Sequence, residues 1–243
     1  MIEGYQRHLD ITRNIWNDIP NSDKKGINSF KIGSPPPSGK NAAGTFDPND
    51  NSLGIHINNI GIDENSSDDE IRNKVGATMV HEIAHSQYHK LYPAQRDDWS
   101  KEALKNEPIT SYLKKFKNRV IKSEKKRIEI QNERYRILDE IDDIDKKIKS
   151  NELSDKSDDF LIKSPLEKAI EEKQSLERYL ENQDLLYNAA LREEKINKAT
   201  YGNETHSEFL VMKKGYESLG WKQDKEAFER LVPIYNKILG MSL

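Results

Sequence analysis

The sequence predicts an α+β fold that is mainly helical, with a small β-sheet and an inserted long antiparallel coiled-coil helical hairpin. Three observations predict it. Short alternating segments between residues 29 and 58 have the two-residue period of strands. From Phe116 to Lys149 the chain carries neither proline nor glycine, and Ile130, Ile137, Ile141, Ile144 and Ile148 recur in a seven-residue pattern. Globular patterning then returns at Thr200-Tyr201-Gly202-Asn203. Composition agrees. Hydrophobic residues make up 34% and charged residues 33% of 243 positions, too polar for one compact globule but suited to a modest core plus a long solvated helical element.

The elements follow in order. Tyr5, Leu9, Ile15 and Trp16 mark a first amphipathic helix from about Glu3 to Asp18, stopped near Pro20. Strands are expected at Ser29 to Ile32, Gly44 to Asp47 and Ser52 to Asn58; the proline-rich Ser34 to Gly39 stretch reads as a connector. The last two strands flank the turn-rich Pro48-Asn49-Asp50-Asn51 and form a hairpin. Ser67 with Glu70 is a capping box, opening a helix from about Asp68 to Lys90 that stops before Pro93. The coiled-coil arms run from Phe116 to Lys149 and from about Pro165 to Asn197, where Leu176, Leu180, Tyr187 and Leu191 keep step. Two further helices are expected, Thr205 to Leu219 and Gln223 to Leu239, the latter disturbed at Pro233. The chain thus divides into a core part (1–107), a hairpin insertion (108–199) and a second core part (200–243).

Several function classes are excluded or disfavoured. A net charge of −3 supplies no global field toward nucleic acid or anionic membrane, and the basic run from Lys114 to Arg127 spreads over a helix and is followed by acidic residues. No apolar run is long enough for a membrane span, and Met1-Ile2-Glu3-Gly4 does not open a signal peptide. The expectation is a soluble chain, cytosolic, exported by a signal-independent route or part of a larger secreted protein. There is no cysteine, so any metal site must use histidine and carboxylate.

The chemistry-bearing motif is His81-Glu82-Ile83-Ala84-His85. Histidines four apart on a helix lie on one face, one turn apart, and can share one Zn2+. Glu82 is then placed to take a proton from water activated by the metal. A catalytic zinc needs a third protein ligand. Tyr88 and Leu91 stand where a metzincin would carry glycine and histidine, and a straight helix carries His89 away from the metal. The third ligand is expected to be a glutamate on a later helix. Glu208, in Ser207-Glu208-Phe209-Leu210, is favoured; Glu107, in Asn106-Glu107-Pro108, is the alternative and resembles the ligand pattern of thermolysin. His56 reads as a surface residue and His206 as an outside candidate near the metal.

The zinc motif followed by Ser207-Glu208-Phe209-Leu210 resembles the gluzincin peptidase domains of lethal-factor-type bacterial toxins, over about residues 52–90 and 201–239. The resemblance implies a zincin-like metallopeptidase core, His81, His85 and Glu208 as zinc ligands, and Glu82 as catalytic base. It also implies an assisting tyrosine seven residues before the ligand glutamate, here Tyr201, and a substrate-pairing edge strand around Gly54 to Asn58. This chain departs from the pattern in two places. Val211-Met212 stands where the family has Ala-Glu, and the interval from His85 to Glu208 is far longer, as an inserted hairpin would make it. With such an insertion Tyr112 also falls near the site and rivals Tyr201. The expectation is a zinc endopeptidase acting on a protein or peptide, in a bacterial toxin or effector whose hairpin docks a target or a neutralising immunity protein. The alternative is a coiled-coil interaction protein with a structural or non-catalytic zinc site.

Overall fold

The computed structural model describes residues 2–33, 41–150 and 163–239, side chains from residue 5 onward. The Ser34 to Gly39 connector and most of the polar break between the hairpin arms lie outside the described residues. The fold is mainly helical with one three-stranded sheet: α1 (Ile2–Asp18), β1 (Ser29–Ile32), β2 (Gly44–Asp47), β3 (Ser52–Ile55), α2 (Asp68–Lys90), α3 (Pro93–Lys105), α4 (Lys114–Lys149), α5 (Pro165–Lys213) and α6 (Lys225–Leu239). Two compact units result, one of Met1–Asn118 with Lys198–Leu243, the other of Arg119–Asn197.

In the first unit, β3 is the central strand, parallel to β1 and antiparallel to β2. β2 and β3 form the expected hairpin, with Gly44 opposite Ile55 and Asp47 opposite Ser52. Asn51 takes the left-handed turn position at φ 53°, which asparagine tolerates better than most residues. The strand expected to be a free edge is therefore the middle one. A parallel partner cannot be read from local alternation, and β1 supplies it from across the connector.

Leu53 and Ile55 face Ile11 and Ile15 of α1 and Ile71, Val75, Met79 and Ile83 of α2 in one core. Burying each such side chain stabilises the fold by about 1.5–3 kcal/mol, before the entropy of ordering it is subtracted. α2 begins where the capping box places it, the Ser67 hydroxyl accepting from the Glu70 amide at 3.2 Å.

Sequence patterning misses α3. Pro93 ends α2 but also occupies the first turn of a new helix, where a missing N–H costs nothing. α3 seats the fully buried Trp99, whose indole donates to the Gly202 carbonyl at 2.9 Å. Residues 109–111 belong to this unit: Thr110 bridges Gln223, and the Asp224 amide donates to the Ile109 carbonyl at 2.8 Å. The unit boundary accordingly falls after Asn118 rather than at 108.

α5 is the largest departure. It continues through Tyr201-Gly202-Asn203, expected as a break, and ends at Lys213, where Gly215 takes φ 80° and closes the helix. Gly202 is required by packing instead. A Cβ there would come within 1.9 Å of Ser100 Oγ and 2.8 Å of the Tyr88 hydroxyl, so a bare glycine lets α5 press against α2 and α3. α6 runs unbroken through Pro233.

The second unit is an antiparallel pair of helical segments. Ion pairs join them in opposite directions, Arg127 to Glu194 at 2.5 Å, Arg134 to Asp184 at 2.5 Å and Lys173 to Asp145 at 2.6 Å. Val120, Ile137, Ile144 and Ala190 are buried along the seam. Lys126 pairs with Glu193 and Lys125 with Glu129, so part of the basic run is paired within this unit.

Candidate metal centre

α2 carries His81 and His85 one turn apart, their ring centroids 4.7 Å from each other and their planes 87° apart. α5 crosses with a matching i, i+4 pair of carboxylates, Glu204 and Glu208. The two repeats engage unequally. His81, His85 and Glu204 offer ligand atoms that all lie within 4.8 Å of one another, and this cluster could hold a metal ion. Glu204 Oε2 stands 3.5 Å from His81 Nε2. Glu208 Oε1 stands 3.1 Å from the other ring nitrogen, Nδ1.

The cluster thus holds Glu204 where Glu208 was expected. Glu208 sits one helical turn beyond Glu204 and engages the side of the imidazole turned away from the cluster. Its second oxygen accepts a hydrogen bond from the Ser218 hydroxyl, and the side chain is buried. Glu107 does not join the cluster either. Asn203 and Ser207 do for His85 what Glu208 does for His81: the Asn203 Oδ1 and Ser207 Oγ atoms both lie 3.0 Å from His85 Nδ1. With both Nδ1 atoms occupied, the nitrogen left over on each ring is Nε2. A carboxylate or amide oxygen on Nδ1 fixes the tautomer with a proton there and leaves Nε2 as a lone-pair donor.

The donor set therefore fits a divalent cation. Two imidazoles and one carboxylate, each held by a neighbouring polar group, are the donors it would meet.

Charge is concentrated here. Burial is the largest influence on His81 and opposes its protonation. The hydrogen-bonding carboxylates of Glu204 and Glu208, helped by the charge of Glu82, outweigh it and hold the metal-free imidazole at about 10. Burial pushes Glu204 up, but His81 and the nearby His85 win and keep its carboxyl below the usual range.

Glu82 is buried and lines a cleft of about 480 Å3 together with His81, Tyr112 and Glu208. Gly44, at the start of β2, lies directly over it; a Cβ at Gly44 would come 2.6 Å from Glu82 Cγ. The strand that borders the cleft is thus β2, an edge of the sheet, and not the Gly54 to Asn58 stretch. The two rival tyrosines part company. Tyr112 donates to Glu204 Oε2 at 3.1 Å and lines the cleft. Tyr201 is fully buried, its hydroxyl directed to the Ala103 carbonyl at 3.4 Å, and does not reach the cluster. Burial, with the surrounding carboxylates, pushes the Tyr112 phenol up, so it stays protonated as a donor.

The remaining histidines stand apart. His56 is buried rather than on the surface, 3.0 Å from Thr45 Oγ1. His89 is exposed near the end of α2, as expected. His206 is fully buried among the rings of Tyr88, Trp99 and Tyr235, and burial, with the charge of His85, pushes it down to about 3.

Asn203, Glu204 and Ser207 are the residues that sequence reasoning passed over. Their signal was present: two carboxylates at i, i+4 echo two histidines at i, i+4, with an asparagine just before the first. It was hidden by starting the helix at Thr205, which left Glu204 outside it. Comparison with protein-family models, with curated proteins and with solved structures finds no match for this chain.

Proposed function

We propose that this chain is a zinc-dependent endopeptidase of the gluzincin type, with His81, His85 and Glu204 holding the metal. The observation that carries the reading is the three-donor cluster, whose His81 shares one cleft with Glu82 and Tyr112. A zinc ion in such a set supplies Lewis acidity, polarising a carbonyl and acidifying water. Glu82 accepts the proton of the attacking water and returns it to the leaving amide nitrogen. Tyr112, turning its single O–H from Glu204 to the substrate, donates a hydrogen bond to the oxyanion that develops on the former carbonyl. Glu208, Asn203 and Ser207 hold the two imidazoles in register for the metal. Among the described residues β2 is an edge strand whose Gly44 lies at Glu82, and it suits an extended peptide, whose backbone would pair with it and lie across the cleft.

The wider role, a bacterial toxin or effector domain, is part of the same proposal and rests on family analogy. No helix among the described residues is long and apolar enough to cross a membrane. The Arg119–Asn197 unit is internally paired and would serve to dock the target or a neutralising partner.

Metal removal and reconstitution test the enzyme. Chelation should abolish cleavage of an unfolded protein substrate, and one equivalent of zinc should restore it. Retained cleavage in the chelated protein would refute the zinc mechanism. Replacement of residues 119–197 by a short linker should spare peptide cleavage and abolish docking.

A further inference from the structure

The cleft lined by Gly44, His81 and Glu82 also carries a cation, Lys115. Lys115 Nζ lies 4.1 Å from the centre of the Tyr112 ring, 5.0 Å from that of Phe116 and 5.9 Å from that of Trp221. Tyr112 and Trp221 are themselves packed, with ring centroids 5.3 Å apart. Lys115 and Trp221 line the same cleft as His81 and Glu82 and are exposed to solvent within it. Among the described residues no carboxylate lies within ion-pairing distance of Lys115, whereas Lys105, Lys125 and Lys126 each have one.

We propose that Lys115, seated on Tyr112 and Trp221, is a specificity-determining residue that binds an acidic side chain of the peptide substrate. The inference rests on the peptidase reading above and names its substrate class. The physical case has three steps. An ammonium over aromatic faces is held in place by the ring quadrupoles, so little side-chain entropy remains to be lost when an anion arrives. Its N–H donors on the side away from the rings remain available, and a carboxylate is the partner that satisfies them with charge. The cleft's own carboxylates are Glu82 and Glu208, whose field disfavours an acidic residue. Selection for acid then depends on one cation, and reversing that cation should be decisive. The aromatic platform alone would take an apolar side chain without regard to charge, which is the competing outcome.

The test is substrate profiling with a fluorogenic peptide library in which one position at a time carries Asp or Glu, Asn or Gln, or Lys or Arg. It is run on the zinc-loaded wild type, on Lys115→Met, which keeps the stem against the rings, and on Lys115→Glu. At one position near the scissile bond the wild type should cleave acidic peptides with kcat/KM about tenfold above their amide counterparts, the scale of one partly exposed charge-assisted hydrogen bond. Lys115→Met should level the two classes, Lys115→Glu should favour Lys and Arg, and added salt should shrink the wild-type preference. Because each readout is a ratio between substrates, a general loss of activity does not mimic it. Trp221 gives a second readout: its fluorescence in the Glu82→Gln protein should respond to an acidic peptide at lower concentration than to the amide version. A wild type that cleaves all three classes equally, or a Lys115→Met protein that keeps the preference, overturns the subsite and leaves the peptidase reading standing. A zinc-loaded wild type that cleaves no peptide overturns both.

Discussion

Under the proposed metal site, replacing Glu208 by glutamine should separate a residue that binds the metal from one that orients its ligand. Glu208 Oε1 lies 3.1 Å from His81 Nδ1 and Glu204 Oε2 lies 3.5 Å from His81 Nε2, so the two carboxylates flank one imidazole from opposite sides. The amide of Glu208→Gln still offers an oxygen to Nδ1, but it no longer carries the charge that raises ligand basicity. Loss of such an orienting partner typically weakens metal affinity by about 10–100-fold, or about 1.4–2.7 kcal/mol. Glu204→Gln removes the only carboxylate in the donor cluster and should cost more than that. The assay is competition for zinc against a chromophoric chelator, at a pH where both variants are folded by circular dichroism. An order reversed, with Glu208→Gln the weaker binder, would return the ligand role to Glu208 and refute the assignment.

Three further outcomes follow from the same geometry. Tyr112→Phe should lower kcat by roughly 10- to 1,000-fold with little change in KM, as loss of an oxyanion donor does, whereas Tyr201→Phe should leave kcat unchanged; steady-state kinetics on one peptide decides it. The metal-free protein should respond to pH in a definite sense. His81 is raised from 6.5 to about 10, so its contribution is full below pH 6.5 and is lost as pH rises toward 10, while that of Glu204 is lost as pH falls through its lowered value. Melting temperature of the chelated protein should therefore decline from pH 6.5 to 10, and zinc binding near pH 8 should release about one proton, read by calorimetry in buffers of different ionisation enthalpy. Gly202→Ala would ordinarily gain about 0.5–1 kcal/mol of helix propensity, but the new Cβ would stand 1.9 Å from Ser100 Oγ, and overpacking of about 1–3 kcal/mol should win; a denaturant midpoint that rises would contradict the close helix contact.

Much of the fold is legible in the sequence because its signals are local. Ser67 and Glu70 mark the start of α2, alternation marks β2 and β3, and the isoleucine heptads mark α4. What is not legible depends on contacts between distant segments. Gly202-Asn203 has the composition of a turn, and only the approach of Ser100 and Tyr88 shows why a glycine is needed inside a helix. That single misreading moves the expected helix start past Glu204, so Glu204 is not weighed beside Glu208. The central place of β3 depends on its parallel pairing with β1, which no local pattern encodes. At the site, the histidines and Glu82 follow from spacing on one helix. Glu204 and Tyr112 reach the site from other segments, and of the two tyrosines it is Tyr112 that lines the cleft while Tyr201 is buried.

The most direct test of the peptidase account compares wild type and Glu82→Gln, measuring zinc content and peptide cleavage on the same samples. Glu82 is buried beside the donor cluster and does not belong to it, so both proteins should hold one zinc per chain. Cleavage by the variant should fall by roughly 100- to 10,000-fold, the contribution of a positioned general base. Equal cleavage by the two proteins, or a wild type that binds no zinc, would contradict the account.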